Sequence, residues 1–141
     1  DYRPETLTLL REAVVLNEGQ LGRKLFVETE MLDFSKDDLP DADIIVAADL
    51  LYLRSTSQAL ARGCLEALRR GAHVLVGDTG RPGQPAFLDA LKGQLRGPER
   101  RFQLKEGWSL VSPRHELISS NQAEPRRLRV GFLHLSPADL E

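Results

Sequence analysis

A carboxylate and a phenol stand three residues apart at Asp49 and Tyr52, immediately past the apolar run Ile44 to Ala48. At the end of a buried strand such a pair could receive an amine, the carboxylate accepting its hydrogen bonds and the phenol lining its approach. The plainer alternative has Asp49 capping the next helix and Tyr52 packing beneath it. Asp33 and Phe34 place an acceptor beside an apolar ring; the alternative is a loop aspartate next to a core phenylalanine. Asp1, followed by Tyr2, offers a carboxylate able to accept two neighbouring donors or to cap the helix after it. Gly77-Asp78-Thr79-Gly80-Arg81 reads as a tight turn, because its glycines permit reversal, and is assigned no catalytic role.

Other reactive side chains point to little. His73, His115 and His134 lack metal-ligand spacing and read as satisfied or exposed histidines, so no metal site is expected. Cys64 is the single cysteine, which excludes an intrachain disulfide and a thiolate metal cluster, and its helical core spacing marks it as inert. Trp108 is read equally as a strand residue or a channel aromatic. With no signal for an oxidising compartment, a cytoplasmic setting is the default.

The 141 residues, 41% hydrophobic and 28% charged, suit one globular domain with a modest core. Residues 1 to 50 carry 5 basic and 12 acidic side chains, and residues 51 to 141 carry 14 and 9. The basic residues of the second part are scattered among acidic ones without aromatic interleaving, so no nucleic acid partner is expected. The longest apolar runs are strand-sized, well short of the roughly 20 residues that span a bilayer, so no membrane partner is expected either. The chain starts at Asp1 rather than Met, without a targeting segment, and reads as cut from something longer.

These residues need a frame. Leu7, Leu10, Ala13 and Val14 recur at helical spacing; Pro4 suits the first turn, and Asn17 with Gly19 suits the exit. Residues 25 to 32 are rich in strand formers, and the continuous apolar run within 43 to 49 predicts a strand covered on both faces. Ser55, Thr56 and Ser57 offer N-caps to a helix bearing Leu60, Cys64, Leu65 and Leu68 that stops near Gly71. A strand over His73 to Val76 follows, and then a helix from near Pro85 to about Gly97 with Phe87, Leu88, Leu91 and Leu95 inward. Alternation of this kind predicts a doubly wound α/β sheet with right-handed crossovers. The end departs from it: residues 102 to 111 and 128 to 135 both read as strands with no comfortable helix between them, which predicts an antiparallel hairpin.

A parallel α/β sheet ending in an antiparallel pair separates seven-strand S-adenosylmethionine methyltransferases from nicotinamide-binding Rossmann domains. The motifs agree with the first. Asp1-Tyr2, Pro4-Glu5, Leu9-Leu10-Arg11-Glu12 and Leu16-Asn17 resemble the segment after strand two in the Asp-x-x-Tyr lysine methyltransferase branch. Leu32-Asp33-Phe34 resembles its Leu-Asp-Trp after strand three, with phenylalanine for tryptophan, and Ala48-Asp49-Leu50-Leu51-Tyr52 resembles its strand-four signature. Gly77-Asp78-Thr79-Gly80-Arg81 is similar to the Gly-Asp-Pro-Gly-Arg of the group containing the electron-transfer-flavoprotein beta-subunit lysine methyltransferase, with threonine for proline.

The resemblance implies a Rossmann-like seven-strand sheet of order 3-2-1-4-5-7-6, here a single incomplete methyltransferase domain over residues 1–141 without its first two strands. It implies S-adenosyl-L-methionine as cofactor, with Asp1 and Tyr2 at the ribose, Asp33 and Phe34 at the adenine, and Ala48 small enough to let the cofactor approach the backbone. Asp49 and Tyr52 would then be the catalytic pair, positioning a protein lysine or a small amine for in-line attack. The first strand and its Gly-rich turn being absent, the chain alone is expected to be inactive. Two other readings stand beside this one: a non-catalytic interaction module on a decayed methyltransferase fold, and a fragment of a nucleotide-dependent oxidoreductase.

Overall fold

The computed structural model describes residues 3–96, 103–107 and 128–141, with the backbone alone described for 103–107 and 128–129. Asp1, Tyr2, Trp108, His115 and the polar segment around Ser119 to Pro125 lie outside the described residues. The chain forms two compact units, Asp1–Asp38 and Leu39–Glu141.

The first unit is built on helix α1, Pro4–Leu21. Proline opens it, since its missing N–H costs nothing in a first turn, and Gly22 closes it in the left-handed region at φ 64°. The helix therefore passes through the expected exit at Asn17 and Gly19. Asn17 turns its exposed amide back along the helix, Nδ2 donating to the Ala13 carbonyl at 2.7 Å, and so lies within the helix it was expected to end. Of the expected face, Leu7 is buried and Ala13 and Val14 are half-buried, but Leu10 is exposed.

Residues 25–32 form no strand. They run extended after α1, tied to it by side chains: Glu18 accepts from the Leu25 N–H at 2.8 Å and from Lys24 Nζ at 3.1 Å, and Arg11 Nε donates to Thr29 Oγ1 at 2.8 Å. Strand-forming composition is local, whereas a ladder needs a neighbour, and none pairs with this segment among the described residues. Phe26 is consequently fully exposed and Val27 and Met31 are about half exposed.

The second unit is a mixed α/β layer. Strand β1 (Ile44–Ala48) leads through helix α2 (Arg54–Arg69) to strand β2 (His73–Asp78); helix α3 (Gln84–Leu91) follows, then strands β3 (Gln103–Gly107) and β4 (Leu128–Leu135). The sheet order is β1-β2-β4-β3. β1 and β2 are parallel, while β4 runs antiparallel to both β2 and β3, so the expected antiparallel final pair is present and β4 is inserted between β2 and β3.

Both crossovers, β1 to β2 through α2 and β2 to β3 through α3, step the same way across the sheet. Right-handed connections then place both helices on one face. α2 packs against α3 and against β2, and the core on that side is Ala47, Val74, Val76, Leu133 and Leu135 under Leu60, Cys64, Leu68 and Phe87. Residues one position out of phase face away: Ile44 is 64% exposed and Val46 66%. Among the described residues β1 is thus an edge strand covered on one face, not two, and the described sheet is wound in a single direction rather than doubly. An unbroken apolar run does not distinguish a central strand from an edge.

Two helix ends also differ from the sequence reading. α2 has Leu53 at its N-cap with no side-chain cap, and Ser55 to Ser57 lie inside the first turn. α3 stops at Leu91, well before Gly97, because Lys92 is extended and Gly93 turns left-handed at φ 74°. Leu95 is still buried, but through a bridge to Leu140 rather than on a helix face.

Candidate functional site

Because β1 and β2 run parallel, both finish on one rim, and the residues after them face each other. Asp49 leaves β1 with φ 55°, a left-handed conformation that aspartate tolerates better than most side chains. Its N–H donates to the Gly77 carbonyl at 2.8 Å, which fixes the turn against β2. The carboxylate projects to the loop after β2, and each oxygen accepts twice. Oδ1 takes Arg81 Nε at 2.7 Å and Thr79 Oγ1 at 3.1 Å; Oδ2 takes Arg81 Nη2 at 2.6 Å and the Tyr52 hydroxyl at 3.0 Å. The Arg81 guanidinium also lies over the Tyr52 ring, Cζ 4.4 Å from its centre.

Arg81 is aimed by its own turn. Asp78, the buried last residue of β2, accepts the N–H groups of Gly80 at 2.8 Å and Arg81 at 2.9 Å on Oδ2, while its Oδ1 has no partner. Gly80 supplies the positive φ of 89° that the reversal requires. The turn reading of residues 77–81 therefore holds, but the loop also delivers Thr79 and Arg81 to Asp49. The sequence alone assigns neither these two residues nor Asp78 a catalytic role. A signal was available: two parallel neighbouring strands bring their following residues together, so an acid after one and a base after the other should pair.

The sequence had paired Asp49 with Tyr52, and the structure joins them. Asp49 does not cap α2, and Tyr52 does not pack under it but is 50% exposed. Ala48 sits at the same rim, exposed and in register with Gly77, so two small residues adjoin there. Asp33 and Phe34 belong to the first unit. There the Asp33 carboxylate organises a turn, accepting from the Ser35 N–H at 3.1 Å and Ser35 Oγ at 2.5 Å and pairing with Lys36 Nζ at 2.7 Å, while Phe34 is half-buried. This is the loop-aspartate alternative. The Lys36 ammonium, then Ser35, holds Asp33 at about 2.

The Arg81 guanidinium, followed by the Tyr52 and Thr79 hydroxyls, holds Asp49 well below the usual carboxylate range, and the same pairing keeps Arg81 charged. Hydrogen bonding to the Asp49 carboxylate pushes the Tyr52 phenol up, so it stays a donor. A carboxylate whose folded pKa is depressed stabilises the fold above its unfolded value of 3.8, and that stabilisation disappears as the pH falls below it. The stability difference between wild type and Asp49→Asn should accordingly be largest near neutral pH and shrink between about pH 4 and about pH 2. Urea denaturation of both proteins across that range checks it; taking the difference removes the parallel contribution of Asp33.

On the open face His73 Nδ1 lies 3.3 Å from His134 Nε2 with ring planes 10° apart, so two of the three histidines meet after all. Two ligands do not make a metal centre, and no group of three metal-ligating side chains occurs among the described residues. Cys64 is fully buried, which pushes its thiol up to about 12 and keeps it unreactive, as expected. No helix among the described residues is long and apolar enough to cross a membrane. The chain matches no protein-family model, no curated protein and no solved structure at a significant level.

Proposed function

We propose that these residues form part of a Rossmann-like seven-strand methyltransferase acting on an amine, with a protein lysine side chain as the favoured acceptor. What carries this reading is the strand order. A parallel pair followed by a last strand inserted antiparallel beside it, with the preceding strand outermost, corresponds to the 4-5-7-6 half of the order 3-2-1-4-5-7-6. The antiparallel β4 weighs against a nicotinamide oxidoreductase, whose sheet stays parallel.

S-adenosyl-L-methionine would supply an electrophilic methyl group. Among the residues here, Ala48 and Gly77 suit a nucleoside lying close to the backbone at the rim, and Asp49 with Tyr52 would hold the acceptor nitrogen in line. Asp33 suits a ligand less well, since Ser35 and Lys36 already occupy its carboxylate. One observation favours the non-catalytic alternative: Asp49 has both oxygens doubly engaged, as a structural latch between two loops would.

Titration of S-adenosylhomocysteine into the nitrogen-labelled chain tests the main reading. Amides of Ala48 to Tyr52 and Gly77 to Gly80 should shift, with a Kd of about 1 mM or weaker. Weak binding is expected because residues 1–141 contain no Gly-x-Gly turn to grip the amino-acid end. Shifts collected at the opposite rim, near Asp43 and Ala72, or none at the solubility limit, would remove the methyl-donor reading.

A further inference from the structure

A doubly engaged carboxylate is either permanently structural or holding the place of something else. Three features at this corner favour the second. First, its occupant is a cation bound as an incoming ammonium would be, with the carboxylate on one side and an aromatic face on the other. Second, the corner is open to solvent: the Arg81 and Asp49 side chains are 36% and 40% exposed. At that exposure water screens the pair, so the resident interaction is weak enough for a competing cation to displace.

Third, the Arg81 side chain can leave without dismantling its surroundings. Its backbone is held separately, N–H to Asp78 Oδ2, so the turn does not depend on the guanidinium. Asp49 likewise keeps its orientation, because Thr79 Oγ1 still donates to Oδ1 and the Tyr52 hydroxyl to Oδ2. What departure opens is one acceptor position on each oxygen, facing the Tyr52 ring.

We infer that Asp49 and Tyr52 form a cation subsite whose resident occupant is Arg81, and that an alkylammonium group of the lysine side-chain class enters by displacing the guanidinium. The inference deepens the proposed function by naming what must move before an amine reaches Asp49, and in that sense it rests on that reading. It also accounts for the latch-like geometry within a catalytic site: the latch is the resting state. Arg81 thereby sets a threshold that only a cation with further contacts to the protein overcomes, which disfavours free small amines as acceptors.

The test uses the 141-residue chain with n-butylammonium and its trimethylated analogue as probes, followed through the amides of Asp49, Tyr52 and Thr79. Wild type should bind either probe barely. Arg81→Ala should bind at least ~10-fold more tightly, a difference of about 1.4 kcal/mol. n-Butylammonium should be preferred, because its N–H groups can donate to the two acceptor positions on Asp49, whereas the trimethylated probe has no N–H and keeps only the attraction of the charge and the Tyr52 ring. Adding Asp49→Asn to Arg81→Ala should abolish the gain, and Arg81→Lys should resemble wild type, its own ammonium occupying the corner. Arg81→Met, which keeps the aliphatic stem over Tyr52, serves as a second variant should Arg81→Ala not fold.

A folded Arg81 variant that binds no better than wild type overturns the inference, as does a gain that survives Asp49→Asn. So does failure of both Arg81→Ala and Arg81→Met to fold, because an indispensable clamp is not a displaceable occupant. The probes need no methyl donor. Loss of the methyl-donor reading in the S-adenosylhomocysteine titration would therefore leave the cation subsite standing, and failure of the probes would leave that titration unaffected.

Discussion

Replacing Gly83 by alanine is expected to destabilise the second unit by about 3 kcal/mol, the upper end of what overpacking costs. Gly83 is where the loop after β2 crosses the loop after β1. Its N–H donates to the Leu51 carbonyl at 2.9 Å, and a Cβ added there would meet the Leu51 carbonyl oxygen at 2.7 Å, the Leu53 carbonyl oxygen at 3.0 Å and the Ser57 Oγ. Two of the three obstacles are backbone atoms that cannot rotate aside, and Ser57 is buried at the start of α2, so relief requires the loops to separate. Its backbone conformation, φ −82°, is one alanine adopts freely, so the cost is steric rather than conformational. Gly80→Ala provides the contrast: nothing lies within 4 Å of its added Cβ, and only the φ of 89° is unfavourable, worth about 1 kcal/mol. Urea denaturation of the two variants distinguishes them. Equal losses would mean that the crossing of the loops is looser than the distances state.

How far the sequence reaches can be read from particular residues. Strands β1, β2 and β4 and helix α2 announced themselves because apolar run length and helical spacing are local properties, and the antiparallel direction of β4 was legible because the polar sequence before it carries no helical pattern. Residues 25–32 misled because their strand-forming composition is equally local, while pairing depends on a neighbour elsewhere in the chain. The exposure of Ile44 and Val46 was hidden for the same reason: which face a helix covers depends on the direction in which successive crossovers step. At the site, the three-residue spacing of Asp49 and Tyr52 was visible, but Thr79 and Arg81 stand 30 and 32 positions from Asp49, and only the pairing of β1 with β2 makes them neighbours. What distance along the chain concealed, charge then explains. Arg81 is the opposite charge that the Asp49 carboxylate meets once the two strands pair.

The buried acid beneath that partner is the more consequential one for stability. Asp78→Ala should cost about 2 kcal/mol, because it leaves the Gly80 and Arg81 N–H groups without the acceptor that now serves both, at a position only 1% exposed. The loss is moderated by removal of Oδ1, a buried oxygen that has no partner to forfeit. Asp78→Asn keeps a carbonyl oxygen where Oδ2 stands and should cost about 1 kcal/mol or less. The distinguishing readout lies elsewhere, at Asp49. Once the turn is released, Arg81 is no longer aimed, so the acid sensitivity that Arg81 confers on Asp49 should fade in Asp78→Ala although neither partner has changed, and should persist in Asp78→Asn. The stability difference between Asp78→Ala and Asp78→Ala with Asp49→Asn, followed by urea denaturation between about pH 6 and about pH 2, measures this without the contribution of Asp33. A wild-type pH dependence in Asp78→Ala would show that the guanidinium finds Asp49 without help from the turn, and the corner's organisation would then rest on the ion pair alone.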